Sequence, residues 1–304
     1  MQNLNKFLDY FSRHGQVALP AIQKNHINQK ESFEELAEIM LTWAKSQLGE
    51  NWIQTLVDGY FFMLMDMNRS QIEYEDRGEY SKKSFDDVYD SVYNDEKVMD
   101  LYHWGVYVCN FAWEHHVEIY NLYRKSFLPL LNVKDEGRIL DLGSGSGLWS
   151  FLATHFLPQW TSHGFDISKK SIELSTAMAK SSGLDSRLEF KVYDALTFEG
   201  TEKYNAGISC FLMEHLEEPQ RLLKNMASNL ETRGYAFVTT ALTADDLGHV
   251  FEFRRESEII CMAEEAGFRV VSMTSASPLS HPDSRKFLPR SIGLILQKRK
   301  NDVW

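Results

Sequence analysis

The sequence predicts an α/β protein, with a seven-stranded, mostly parallel sheet preceded by a mostly α-helical N-terminal domain. Three observations carry this reading. Aromatic residues crowd the first part: 22 of 39 lie in residues 1–136, among them ten of thirteen tyrosines. Glycines do the reverse and concentrate after residue 136. Beyond that point short apolar runs alternate with helical patterns, the mark of βα units around a mostly parallel sheet. The change of character falls near Asn132–Gly137 and divides residues 1–131 from 132–304.

A chain of 304 residues has room for about two domains. Its 43% hydrophobic and 25% charged residues exclude a disordered or fibrous protein. With 32 Lys and Arg against 43 Asp and Glu, the formal charge is −11. That disfavours DNA or RNA as a partner, because phosphate binding rests on clustered cations. A small nucleotide-like ligand is still allowed. Cys109, Cys210 and Cys261 are far apart and suggest neither a disulfide framework nor a zinc cluster. No apolar run approaches the roughly 18 residues of a membrane span. The N-terminal MQNLNKFLDYFSRHG lacks the apolar stretch of a signal peptide. A cytoplasmic protein without a membrane partner is expected.

In the first part, Ser32 and Glu35 fit a capping box. Phe33, Leu36, Ala37, Met40, Trp43, Ala44 and Leu48 follow at helical spacing until Gly49. Residues 52–67 are apolar almost all round and predict a buried helix. Residues 73–96 hold nine acids against three bases and predict a solvated face, with turn signals at Arg77-Gly78 and Asn94-Asp95. A further helical stretch runs from about 97 to 131, with Pro129 near its end.

In the second part strands are expected at 138–142, 162–166, 188–193, 206–210, 235–240, 269–274 and 292–297. Helices fill 147–157, 168–182, 219–230 and 255–266, and Gly267 suits a C-cap for the last. The sharpest signal is residues 138–149, RILDLGSGSGLW. An apolar strand carries Asp141, and Gly143, Gly145 and Gly147 turn it into a helix. Glycines there permit positive φ and let a ligand approach the backbone. A dinucleotide fingerprint needs a glycine where Leu148 stands, which argues against a pyrophosphate ligand. The next strand ends in Phe165-Asp166-Ile167, where an acid can accept from ribose hydroxyls. Tyr193-Asp194-Ala195 follows the third strand, a natural partner for an adenine amino group. Cys210-Phe211-Leu212-Met213-Glu214-His215 follows the fourth. All four positions lie on the sheet edge where open α/β folds bind ligands.

DLGSGSG, FDIS, YDAL and CFLMEHLEEP, in this order, resemble the class I S-adenosylmethionine-dependent methyltransferases over about residues 132–300. The resemblance implies a Rossmann-like sheet whose final strand is antiparallel. It implies S-adenosylmethionine as cofactor and S-adenosylhomocysteine as product. By the same resemblance Asp141, Gly143, Ser144, Gly145 and Gly147 lie at the methionine part of the cofactor. Asp166 and Ile167 lie at its ribose, Asp194 and Ala195 at its adenine, and Phe211 beside its sulfonium. The long connection 275–291, with Pro278, His281, Pro282 and Pro289, is expected to border the substrate pocket. The first part loosely resembles the N-terminal dimerisation domain of small-molecule O- and C-methyltransferases, which implies a homodimer. Gly78-Glu79-Tyr80-Ser81-Lys82-Lys83 only partly echoes their Gly-x-Tyr-x-Leu-Thr, and the catalytic histidine of the plant phenol enzymes falls on Leu212.

The base candidates are His215, His116 and His249. His115 and His116 are neighbours on a helix, so one is expected at the pocket and the other in packing or solvent. Tyr89 and Tyr93, four apart, are expected on one helix face, with Tyr93 over the cofactor. No H-x-x-x-H spacing is present, and no metal is assigned, although His249 and His281 with a carboxylate are the residues one would use. The expected function is methyl transfer from S-adenosylmethionine to an O, N or C atom of a small molecule in specialised metabolism. The alternatives are a cofactor-binding scaffold without turnover and another enzyme on the same cofactor fold.

Overall fold

The computed structural model describes residues 1–15, 17–88, 95–278 and 286–300. The alternating half forms β1 (Gly137–Leu142), β2 (Trp160–Asp166), β3 (Leu188–Val192), β4 (Tyr204–Cys210), β5 (Leu230–Leu242), β6 (Phe268–Ala276) and β7 (Arg290–Lys298). They make one sheet in the order β3-β2-β1-β4-β5-β7-β6. Strands β1 to β5 pair in parallel, and β7 runs antiparallel to both β5 and β6. All seven expected strands are present. The largest misjudgement is β5, which starts at Leu230 because that residue pairs with Tyr204 across a register shift. The chain leaves β1 toward β2 and β3, then crosses back to β4. This puts a topological switch point between β1 and β4, where open α/β sheets bind ligands.

The helices on the sheet are α9 (Leu148–Phe156), α10 (Lys169–Ser181), α11 (Pro219–Asn229) and α12 (Glu256–Glu265). The Ser168 side chain caps α10 by accepting from Ser171 N–H. Gly267, at φ +92°, ends the α12 turn in the left-handed conformation the sequence suggested.

The N-terminal part comprises α1 (Gln2–His14), α2 (Leu19–Asn28), α3 (Lys30–Leu48), α4 (Trp52–Arg77), a one-turn α5 (Asp86–Val88), α6 (Glu96–Ala112), α7 (Glu114–Leu122) and α8 (Leu128–Leu131). Three expectations need correction. Ser32 does not cap a helix: α3 already starts at Lys30, and the Ser32 hydroxyl donates to Asn121 Oδ1 at 2.6 Å. Helix α4 runs ten residues past Met67, to Arg77, because Tyr74 packs its ring inside and the left-handed Gly78 supplies the stop. The stretch 97–131 is not one helix. It breaks at Trp113, which is extended (φ −96°, ψ 129°), and contains a π-helical turn at Tyr123–Phe127. Two carbonyls left by the break, those of Phe111 and Ala112, accept from the buried Asn25 side chain.

The helical part does not keep a core of its own. One apolar cluster runs from Phe7 and Phe11 through Tyr120, Tyr123 and Phe127 to Trp149, Phe237 and Ile295 of the sheet layer. Helices α4 and α6 approach each other closely within it. A Cβ on Gly59 would sit 2.7 Å from Gly105 N and 2.9 Å from Leu101 O, both backbone atoms that cannot swing away. Gly59→Ala is therefore expected to lower unfolding stability by about 1–3 kcal/mol, despite the helix propensity alanine adds. Urea denaturation reads this directly, and a variant as stable as the parent would contradict the backbone contact.

Candidate functional site

The C-terminal ends of β1, β2, β4 and β5 open into one cavity of about 760 Å³, within the usual range for small-molecule sites. Its first wall is the glycine loop. Gly143 and Ser144 N–H groups donate to Phe165 O at 2.7 and 3.0 Å, which folds the loop back over β2. Gly143 (φ +70°) and Gly145 (φ +50°) need the left-handed region. A Cβ on Gly143 would meet Leu212 at 2.4 Å, whereas Gly145 faces open space. Asp166 ties this loop to α10: Oδ2 accepts from Gly145 N–H and Oδ1 from Ser168 N–H, both at 2.8 Å. Burial raises the Asp166 pKa, and the two backbone donors hold it back. Ile167, Asp194 and Ala195 complete this side, with Asp194 Oδ1 held by Leu196 N–H.

Two expected ligand residues stand behind the wall. Asp141 is buried under the loop, where its carboxylate accepts from Ser150 at 2.6 Å. Gly147 shapes the start of α9, and neither residue lines the cavity. Burial, the largest cause, pushes the Asp141 pKa up to about 7, the Ser150 bond opposing it. Tyr93 and His281 lie outside the described residues.

The second wall begins after β4. Phe211 has a positive φ of 54°, uncommon for an aromatic residue, and its N–H donates to both the carbonyl and the hydroxyl of Thr239. His116 stacks on the Phe211 ring, with centroids 4.7 Å apart. His115 packs edge-on against His116 at 4.6 Å, and both line the cavity. The expectation that only one of the pair would reach the pocket fails because the chain breaks at Trp113, so the cavity meets α7 at its first turn. Burial lowers both imidazoles, His115 to about 3 and His116 well below its ordinary value. Their Nδ1 atoms, like Ser144 Oγ, are buried with no hydrogen-bond partner among the described residues. Each is placed to bond a polar atom that enters the cavity, water or ligand.

The floor is a cluster that α11's preceding turn and the loop after β5 bring together. His215 and His249 rings are 4.8 Å apart, edge to face. A carbonyl can only accept, so His215 Nδ1–H donates to Gly248 O and His249 Nδ1–H to Ala244 O, at 2.9 and 2.7 Å. His249 Nε2 faces Asp246 Oδ2 at 3.3 Å. Burial opposes charge on His249, but Asp246 and Glu214 raise its pKa overall; Asp246 is correspondingly lowered, burial again opposing. Burial and the neighbouring His249 lower His215. Glu214 is fully buried, its carboxylate accepting from Thr240 Oγ1 at 2.6 Å and Ala241 N–H at 3.0 Å. Sequence reasoning missed Asp246. The signal was there in Asp246-Leu-Gly-His249, an acid three residues ahead of a histidine in a strand-end loop.

A parallel sheet with a glycine loop at its switch point, an acid after the second strand and a polar floor defines a nucleotide-cofactor enzyme of the open α/β type. Residues 133–283 match the family model described as a methyltransferase domain. The chain is a class I S-adenosylmethionine-dependent methyltransferase. It is 28% identical over 169 residues to the ubiquinone biosynthesis O-methyltransferase of Coxiella burnetii, a match spanning 49% of this chain and 70% of that protein. Among solved structures the cyclase SpnF is similar with a TM-score of 0.48 and 15% identity, over 57% of this chain and 80% of that one. The O-methyltransferase of a trans-AT PKS multienzyme of Brevibacillus brevis, in complex with S-adenosyl-L-homocysteine, has a TM-score of 0.45 and 18% identity, over 53% and 66%. The cavity fits this cofactor: Gly145 leaves open space at the wall, and the buried Ser144 hydroxyl has a bond to give.

Two outcomes follow for this wall. Asp166→Ala removes a charged acceptor and the Gly145 tether, and is expected to weaken S-adenosylmethionine binding by about 1–3 kcal/mol in calorimetry. Unchanged affinity would place the ribose elsewhere. Asp141 has a folded pKa raised from 3.8 to about 7, so it costs little below about pH 4 and progressively more up to pH 7. Asp141→Asn is therefore expected to gain stability relative to the parent as pH rises from 5 to 8, by about 3 kcal/mol in unfolding free energy, read in melting temperature. Equal differences at the two pH values would refute a neutral Asp141.

Proposed function

We propose that the protein methylates a hydroxyl oxygen of a small, largely apolar molecule. The observation that carries this reading is the continuity of the cavity: the glycine loop, Asp166 and Asp194 line one end, and the other combines Met63, Met67, Tyr102 and Trp113 with the His215–His249–Asp246 floor. The O-methyltransferase activity named for the Coxiella relative supports an oxygen acceptor.

Bound S-adenosylmethionine supplies an electrophilic methyl group on its sulfonium. In this reading the Gly143–Gly145 backbone and Ser144 hold its methionine end, Asp166 its ribose, and Asp194 with Ala195 its adenine. Phe211 and the His116 stacked on it form the wall between cofactor and substrate. Burial lowers the pKa of His116 and of His115 beside it, which disfavours a positive charge next to the cationic sulfur. Residues 1–131 contribute the apolar surface that orients the acceptor and keeps water out. Most of the acceleration comes from this alignment. The floor receives the acceptor oxygen and relieves it of its proton, which apolar walls cannot do.

A panel of phenols, catechols and primary amines, scored by S-adenosylhomocysteine formation, tests the proposal. Turnover of hydroxyl acceptors, with kcat reduced by about 10²–10⁴ in His215→Ala or His249→Ala at unchanged cofactor affinity, is the expected result. Turnover confined to amines, or unaffected by both variants, would overturn it.

A further inference from the structure

We propose that His115 and His116 determine acceptor specificity, by hydrogen-bonding an uncharged oxygen of the acceptor other than the one that is methylated. The inference rests on the reading of the cavity's second end as the acceptor compartment, and it names what that compartment recognises. The break at Trp113 sets both residues in the first turn of α7, where they line the cavity and are only 8% and 9% exposed. Aromatic contacts hold their rings. Trp113 stacks on His115 at 5.6 Å and meets His116 edge-on at 5.0 Å, while Phe211 stacks on His116 at 4.7 Å. No hydrogen bond is spent on Nδ1 of either ring among the described residues. The floor pair differs, because His215 and His249 give Nδ1–H to backbone carbonyls. A half-turn of a wall imidazole about its bond to Cβ keeps the ring plane, and so the stacking, while it exchanges the edge that carries Nδ1. The pair is thus fixed in place by its faces and left free at its edges, ready for a polar atom that arrives with a ligand.

The surroundings define the chemistry of that atom. Burial disfavours charge on both rings, and an uncharged imidazole offers one donor and one acceptor nitrogen. A hydroxyl matches both roles and a carbonyl matches the donor. A carboxylate fits poorly, because Glu114, one residue before His115, lines the same cavity and repels a second anion. An ammonium fits poorly as well, since it would stand near the cationic sulfur of the cofactor. Met63, Met67, Val106 and Ala112 line the same cavity with apolar surface, against which an unpaired polar atom is costly. Selectivity follows from that cost: an acceptor without the second oxygen leaves imidazole nitrogen unpaired, and one that carries it is paired on both sides. The acceptor class this selects is a hydroxyl compound with a further ketone or alcohol oxygen on an apolar frame, and not an amino or carboxylic acid.

The test is calorimetric titration of the full-length protein, loaded with S-adenosylhomocysteine, with matched pairs of phenols. Para-hydroxyacetophenone against para-ethylphenol probes a carbonyl, and para-hydroxybenzyl alcohol against para-cresol probes a hydroxyl. Para-hydroxyphenylacetate is the charged control. In at least one pair the oxygenated member should bind about tenfold or more tighter, a factor that His115→Leu and His116→Leu each reduce to about threefold or less. A merely structural role would weaken both members alike and leave their ratio unchanged. His116→Asn, which keeps a polar atom near the place of Nδ1, should retain part of the ratio. Equal affinities within both pairs, a ratio that survives both leucine substitutions, or tightest binding of the charged control overturns the proposal. If phenols are methylated but no pair is discriminated, the histidine contact fails and the oxygen acceptor stands. If the ratio depends on the histidines but only amines are methylated, the contact stands and the oxygen acceptor fails.

Discussion

The histidine floor of the cavity depends on one buried carboxylate. Glu214 has no exposure to solvent, and its two oxygens are taken by Thr240 and Ala241 at the end of β5. Its backbone carbonyl in turn accepts from Val250 and Phe251 N–H in the loop beyond. One residue therefore locks the turn after β4, the tip of β5 and the loop that carries Asp246 and His249. A carboxylate costs much to desolvate, and it persists here because every part of it is bonded. Without that clamp His215 and His249 would have no fixed relation to each other.

The helical part grips the same loop from outside. Gln71 and Tyr80 bond backbone atoms of Thr243, Ala244 and Asp245, Lys82 donates to Asp246 O, and Asp66 accepts from Leu247 N–H. The floor is thus held between the catalytic sheet and α4. A change in the N-terminal helices reaches the site without touching any ligand.

Most of the sheet was legible in the chain. Short apolar runs between glycines and polar turns have few other solutions, and DLGSGSG, FDIS and YDAL mark strand ends by chemistry that only a turn can host. The N-terminal helices were less legible, since aromatic residues buried on all sides erase the amphipathic period that locates helix ends. That is why α4 was read ten residues short and the break at Trp113 was not seen. Ser32 misled for a related reason: a hydroxyl before an apolar run looks the same whether it caps a helix or, as here, bonds Asn121 on α7. The histidine cluster could be nominated residue by residue. Its assembly could not, because His215 and His249 are brought together only when β4 and β5 lie side by side.

The place of β7 has a consequence for how the protein is made. This strand is the last of the seven to leave the ribosome, yet it sits inside the sheet between β5 and β6, with seven of its nine residues buried. Until it arrives, β5 offers an unsatisfied edge and β6 has no partner to lie against. The half of the sheet that carries the His249 loop is therefore complete only once β7 has paired, and an uncovered β5 edge is a template for self-association until then.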